Sequence, residues 1–174
     1  CVLANFCFSS EQDYRDYLEG LCKLACSLSM LSSKKIDFIL FSTEIADYVS
    51  VKEFQDKLHL NNYDNTRIIY INTVDELIEL YKKLNFLIGG RMHSLIFSQK
   101  CLLPYIGIVW QNKIIGFGNI TQSSSRIYEI SNINSNAKFI AKGILTDILN
   151  IGLIKQMSRV NNSIDNIVQK GNIF

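Results

Sequence analysis

The sequence predicts an α/β domain, a Rossmann-like parallel sheet with helices on both faces. Three observations carry that reading. Apolar stretches of strand length alternate along the chain with stretches whose apolar residues recur at helical spacing. The strand-like stretches are continuous apolar runs, as expected of strands covered on both faces. Strands separated by helices are then joined as parallel neighbours, in a helix–sheet–helix sandwich.

The elements follow in order. "VLANFCF" (2–8) is the first strand, and a helix runs from Glu11 to about Leu31 on Tyr14, Leu18, Leu21, Leu24 and Ala25. "KIDFILFS" (35–42) is the second strand, followed by a short helix over Val51 to Leu58. "TRIIYIN" (66–72) is the third strand. The helix in "TVDELIELYKKL" (73–84) opens with Thr73 as N-cap and Glu76 three residues on, a capping box. "NFLIG" (85–89) is a fourth strand, "HSLIFSQKC" (93–101) a short helix, and "LPYIGIVW" (103–110) a fifth strand. A Ser- and Asn-rich loop (121–136) precedes two helical stretches, 137–152 and 163–171. Residues 1–155 form the α/β domain and 156–174 a C-terminal helical tail.

With 174 residues the chain fits one domain and can bury roughly 70% of its unfolded surface. Hydrophobic residues make up 48% and charged residues 20%, an ordinary globular balance. The net charge of +2 is spread along the chain and gives no argument for a nucleic-acid partner. No apolar run reaches the roughly 18–20 residues of a membrane span. The five cysteines sit mostly inside apolar segments, the usage of small buried hydrophobes in a reducing compartment. Cys22 and Cys26 share a helix face, but no third and fourth ligand stands near them, so no metal site is expected. The chain opens on Cys1 directly into a strand-like run, and the expectation is a piece of a longer protein.

In an open parallel sheet ligands bind beyond the carboxyl ends of the strands. The residues expected there are Ser9 to Glu11, Ser42 to Glu44, Asn72, Thr73, Gly89 to Ser94, and Trp110 to Lys113. The densest chemistry is in "FLIGGRMHSLIF" (86–97). Gly89 and Gly90 permit a tight turn and close approach of a ligand to the backbone. The helix that starts near His93 offers free N–H groups, with Ser94 beside them, and the positive end of its dipole. Arg91 brings a fork suited to carboxylate or phosphate, and Lys113 a compact second cation. His93 can exchange a proton near neutral pH. The combination suits an anion site with a general acid–base. The alternative is that Arg91 pairs with a nearby acid and His93 is an ordinary first-turn residue. Trp110, at a strand end, either packs or offers a face to a sugar. His59 suits a helix C-terminus. Neither a Walker A nor a GxGxxG stretch is present, and no G-x-S-x-G points to a hydrolase.

From about Thr73 to Phe117 the text "TVDELIELYKKLNFLIGGRMHSLIFSQKCLLPYIGIVWQNKIIGF" resembles the polysaccharide pyruvyl transferase family. The resemblance rests on an "I-G-x-R-x-H-x-x-I-F-A" pattern after a strand, a following "x-P-x-I-x-I" strand, and then an aromatic, two residues and a lysine before "G-F". It implies one lobe, the C-terminal one, of a two-lobed glycosyltransferase-B-like enzyme. Such enzymes move pyruvate from phosphoenolpyruvate onto two hydroxyls of a sugar, as a ketal, on a cell-surface polysaccharide or its lipid-linked precursor. Carried over, His93 and Arg91 are the catalytic pair. Gly89, Gly90, Arg91, Ser94, Trp110 and Lys113 bind substrate, and phosphoenolpyruvate is a substrate, with no cofactor or metal. The partners implied are phosphoenolpyruvate, a glycan or lipid-linked acceptor and an N-terminal lobe of the same protein, with the lobe alone inactive. The implied location is cytoplasmic, with the inner face of the membrane as a further address. The sequence departs from the pattern at Trp110-Gln111-Asn112, at Ser98, and in "FSTEIADY", where Thr43, Glu44 and Asp47 replace a loop with a histidine. "FCFSS" also lacks the arginine often found at the first strand end. Two alternatives remain: the donor-binding lobe of a nucleotide-sugar glycosyltransferase, with Glu129 on the ribose, and a non-catalytic relative that binds a glycan.

Overall fold

The computed structural model describes the backbone of residues 1–171 and side chains as far as Asn150, so the expected tail (156–174) lies outside the residues whose packing is described. Five short strands are all paired in parallel: β1 (Phe38–Leu40) with β2 (Thr66–Ile68), and β3 (Leu87–Gly89) with β4 (Tyr105–Val109) and β5 (Ile127–Glu129). The N-terminal stretch joins the two groups. The Val2 nitrogen donates to the Phe41 carbonyl at 3.0 Å, just past β1, and the Cys1 nitrogen donates to Ile88 of β3 at 2.8 Å. Counting this stretch as the first strand, the spatial order is 3-2-1-4-5-6. That is a doubly wound order, with its switch point between the first and fourth strands.

Helices cover both faces. α1 (Glu11–Leu31), α2 (Tyr48–Leu60) and α6 (Ile130–Gly171) lie over one face, their Tyr17, Leu24, Val51, Leu58 and Ile133 packed with Leu3, Ile106 and Ile108. α3 (Val74–Lys83), α4 (Met92–Lys100) and α5 (Asn112–Ile120) lie over the other, with Leu77, Tyr81, Leu95 and Ile114 around Phe41, Leu87 and Tyr105. Ile106 and Ile108 point to one core and Tyr105 to the other, the period of two that a strand buried on both faces demands.

Local chemistry sets the boundaries. Ser10 accepts from the Asp13 nitrogen to start α1, and Thr73 accepts from the Glu76 nitrogen to start α3. Glu76 reaches back as a capping box would, but to the nitrogen of Asn72, one residue before the cap.

Three expectations need correction. The first strand is extended only to Ala4, because the backbone turns into a 3₁₀ segment at Asn5–Cys7. Ala4 N–H is taken by the Asp47 side chain instead of a neighbouring strand. The stretch after Trp110 forms α5, and the Ser- and Asn-rich loop contains β5 and the start of α6. The two C-terminal helical stretches are one element, Ile130–Gly171, interrupted at Asn136 (φ −122°, ψ 19°). Arg126 fastens this region by a two-bond ion pair to Asp147 of α6, at 2.5 and 3.3 Å. None of the described helices is long and apolar enough to cross a membrane.

Candidate functional site at the sheet switch point

The carboxyl ends of the first strand, β1, β3 and β4 meet at one place, and a buried carboxylate sits at its centre. Asp47 is fully buried in the loop after β1. Its Oδ1 accepts from the Ala4 nitrogen at 3.0 Å and from Arg91 Nη2 at 2.6 Å. Its Oδ2 accepts from Ser42 Oγ at 2.5 Å and from Arg91 Nε at 2.9 Å. A buried charge survives only when its acceptor sites are filled in this way. Burial pulls the Arg91 guanidinium down in pKa, but the bonds and charge of Asp47 outweigh that and hold it above its ordinary value.

The pair reaches outward through Trp110. Its indole N–H donates to the Gly90 carbonyl at 2.8 Å, which fixes the ring between the ends of β3 and β4. Arg91 Cζ lies 5.3 Å from the ring centroid and Lys113 Nζ 5.6 Å from it, both within cation–π range. The expected convergence of Arg91 and Lys113 on one edge is thus seen. Cys7, in the 3₁₀ segment after the first strand, joins them: burial pushes its thiol up, against the pull of Arg91 and Lys113.

α4 and α5 both begin at this edge without a side-chain cap. α4 has Arg91 at its N-cap and α5 has Gln111, and neither side chain bonds the first turn. Their leading N–H groups are therefore open to an anion, unlike those of α1 and α3. His93 lies in the first turn of α4, exposed, with no hydrogen-bond partner among the described residues. Lys113 is exposed in the first turn of α5.

Other expected site residues turn inward. Gly89 and Gly90 are buried, and neither adopts a positive φ. What the missing Cβ at Gly90 admits is Leu3, whose Cγ would stand 2.8 Å from it; at Gly89 it is Ser94 Oγ, also 2.8 Å away. Gly90 thus lets the first strand pack on β3, and Gly89 leaves room for the Ser94 hydroxyl. Ser94 is fully buried, its hydroxyl donating to the Arg91 carbonyl at 2.6 Å to close the first turn of α4. It shapes the site from beneath.

A cleft of about 420 Å³ opens beside Trp110, between the start of α1 and the ends of β4 and β5. Phe8, Trp110, Asn112, Asp16 and Glu129 line it, a mixture of ring faces, amides and carboxylates. Thr43, in the loop after β1 on the same edge, carries a buried hydroxyl with no partner among the described residues. Cys22, at the far side of α1, has its thiol pushed up to about 11, first by burial and then by Cys26. Among the described residues no group of three or more His, Cys, Asp or Glu is arranged to hold a metal ion.

Sequence reasoning did not single out Asp47 as the centre of the site. The signal available was an acid in the loop after the second strand of a doubly wound sheet, on the edge where Arg91 emerges.

Comparison with known proteins returned one result. The family model described as polysaccharide pyruvyl transferase matches residues 2–112, which spans every element from the first strand through Trp110. No curated protein and no solved structure matches the chain.

Proposed function

Because this chain belongs to the polysaccharide pyruvyl transferase family, we propose that it moves pyruvate from phosphoenolpyruvate onto two hydroxyls of a sugar in a surface polysaccharide or its lipid-linked precursor. The observation that carries the reading is the meeting of Arg91, Lys113 and the uncapped starts of α4 and α5 around Trp110, with His93 in the first turn of α4. The donor carries a phosphate and a carboxylate. Lys113 and the two helix starts suit those charges, and three of the five N–H groups of Arg91 remain after Asp47 takes two.

The chemistry requires one proton donor and one proton acceptor. His93, as imidazolium, gives a proton to the methylene carbon of the donor, and C2 becomes electrophilic. One sugar hydroxyl adds to C2 and its proton returns to the imidazole. The C2–O bond to phosphate breaks, the second hydroxyl closes the ketal, and its proton leaves with phosphate. Fixed cations and backbone dipoles favour the departing phosphate because they need no reorganisation. A sugar ring lying on Trp110 in the neighbouring cleft would bring its hydroxyls to the donor. A second lobe of the protein would close over this edge, so the 174-residue chain alone is expected to be inactive. We infer a cytoplasmic site of action, in keeping with the free cysteines.

A second reading, a nucleotide-sugar glycosyltransferase lobe, is favoured by one observation. Glu129, the last residue of β5, lines the cleft, where a carboxylate could accept from two ribose hydroxyls. One experiment separates the two. The protein at its natural length is incubated with phosphoenolpyruvate and a glycan acceptor, and the product's ketal methyl signal is followed by NMR together with released phosphate. Equal amounts of both support pyruvyl transfer. Sugar transfer from a nucleotide donor with no phosphoenolpyruvate consumption supports the second reading.

A further inference from the structure

We propose that Asp47 is a positioning residue for the donor, holding Arg91 side-on through Nε and Nη2 so that the opposite Nη1–Nη2 edge is the fork that receives the donor's anionic group. The inference rests on the pyruvyl-transfer reading and deepens it.

The geometry of the guanidinium decides the matter. Nε–H and one Nη2–H lie along one edge of its plane, and both go to Asp47, at 2.9 and 2.6 Å. The second bidentate edge, formed by Nη1 and the other Nη2 hydrogen, faces away from Asp47. Nη1 has no partner among the described residues. A planar fork locked at one edge can aim the other; a lysine here could not.

Asp47 is itself held by three separate pieces of the sheet edge. Ala4 ends the first strand, Ser42 follows β1, and Arg91 follows β3. The loop that carries Asp47 is pinned as well, because the Tyr48 hydroxyl bridges the carbonyls of Ser42 and Ile69 at 3.1 and 3.0 Å. Both carboxylate oxygens carry two donors each, so Asp47 has no room to rotate. Trp110 then covers the guanidinium face at 5.3 Å. The Asp47–Arg91 pair is neutral as a unit. Net attraction for a donor with several negative charges therefore falls to Lys113 and the helix starts, while Arg91 contributes direction.

The test uses the protein at its natural length and two variants, Asp47→Asn and Ser42→Ala. Asp47→Asn keeps the shape but turns one acceptor into a donor facing donors. Ser42→Ala removes one bond to Asp47 without touching Arg91. The expected result is a rise in donor KM of about tenfold or more for Asp47→Asn and a smaller rise for Ser42→Ala, with acceptor KM within about twofold of wild type. A folded Asp47→Asn protein with wild-type donor KM would overturn the proposal, as would a loss confined to kcat with both KM values unchanged. If Asp47→Asn does not fold, Ser42→Ala decides on the same criterion. The reading beneath it is checked separately by ¹⁵N NMR of the arginine side chains during titration with inorganic phosphate. An Nη response at Arg91 that is lost in the variants supports the positioning role even if wild type turns over no phosphoenolpyruvate. An identical response in all three proteins removes it.

Discussion

Arg91 and Asp47, 44 residues apart in sequence, share two hydrogen bonds across the switch point of the sheet, and Asp47 is fully buried beneath them. The relationship changes how an arginine variant is to be read. Arg91→Ala leaves a carboxylate in the interior with only Ala4 and Ser42 as donors. Breaking a buried pair from one side costs about 3–5 kcal/mol. A clear fall in melting temperature is the expected outcome, measured by calorimetry or circular dichroism. Unchanged stability would mean that the pair is open to water in solution.

His93 behaves in the opposite way. It is exposed and unpartnered among the described residues, so His93→Ala should change stability by less than about 1 kcal/mol. Turnover of phosphoenolpyruvate should fall to background in the same variant. Denaturant melts and phosphate-release assays on one preparation check both halves. A rate close to wild type would take His93 out of the mechanism.

Gly90 tests the packing of the first strand on β3. A methyl group there would stand 2.8 Å from Leu3 Cγ, inside a core that has no slack. Gly90→Ala should destabilise by about 1–3 kcal/mol through overpacking. Combining it with Leu3→Val should cost less than the sum of the two single changes, because the pair shares one volume. Additive costs in a double-mutant cycle would contradict the contact.

Alkaline pH should weaken the fold through Cys22. Burial beside Cys26 pushes its thiol from 9.0 to about 11, so the folded state holds this proton more tightly than the unfolded chain does. A raised value stabilises fully below pH 9, and that stability is lost as pH rises toward 11. The loss is on the order of 1–3 kcal/mol. Denaturant titrations of wild type and Cys22→Ala between pH 8 and pH 11 check it. The variant should show the shallower decline, and parallel curves would refute the assignment.

How much of this was legible in the sequence depends on the length of the signal. α1 matched from Glu11 to Leu31 because its apolar stripe is long and Ser10 caps it. α3 was legible from Thr73 and Glu76. α5 was not, because Gly116 and Gly118 lower helix propensity in "NKIIGFGNI". Gly118 is there for tertiary reasons, since a Cβ would stand 2.7 Å from Ile127 Cγ1 of β5. β5 itself is three residues long and sits behind a serine run. In the site, Arg91 and Lys113 could be brought together from the parallel-strand argument alone. The Asp47–Arg91 pair could not, because it depends on which strand lies beside β3, and strand order is not written in local pattern. The same limit explains Ser94 and the two glycines, whose inward roles come from Leu3 and the first turn of α4.

The most direct test of pyruvyl transfer at this edge is a calorimetric titration of phosphoenolpyruvate, with UDP and GDP as controls, into the wild-type protein and Lys113→Ala. Lys113 is exposed and bears on no core contact, so its removal should leave the fold intact. The expected result is saturable binding of phosphoenolpyruvate, weakened about tenfold or more by Lys113→Ala, and no heat from either nucleotide. Saturable binding of UDP or GDP with none of phosphoenolpyruvate would contradict it and assign the edge to a nucleotide sugar.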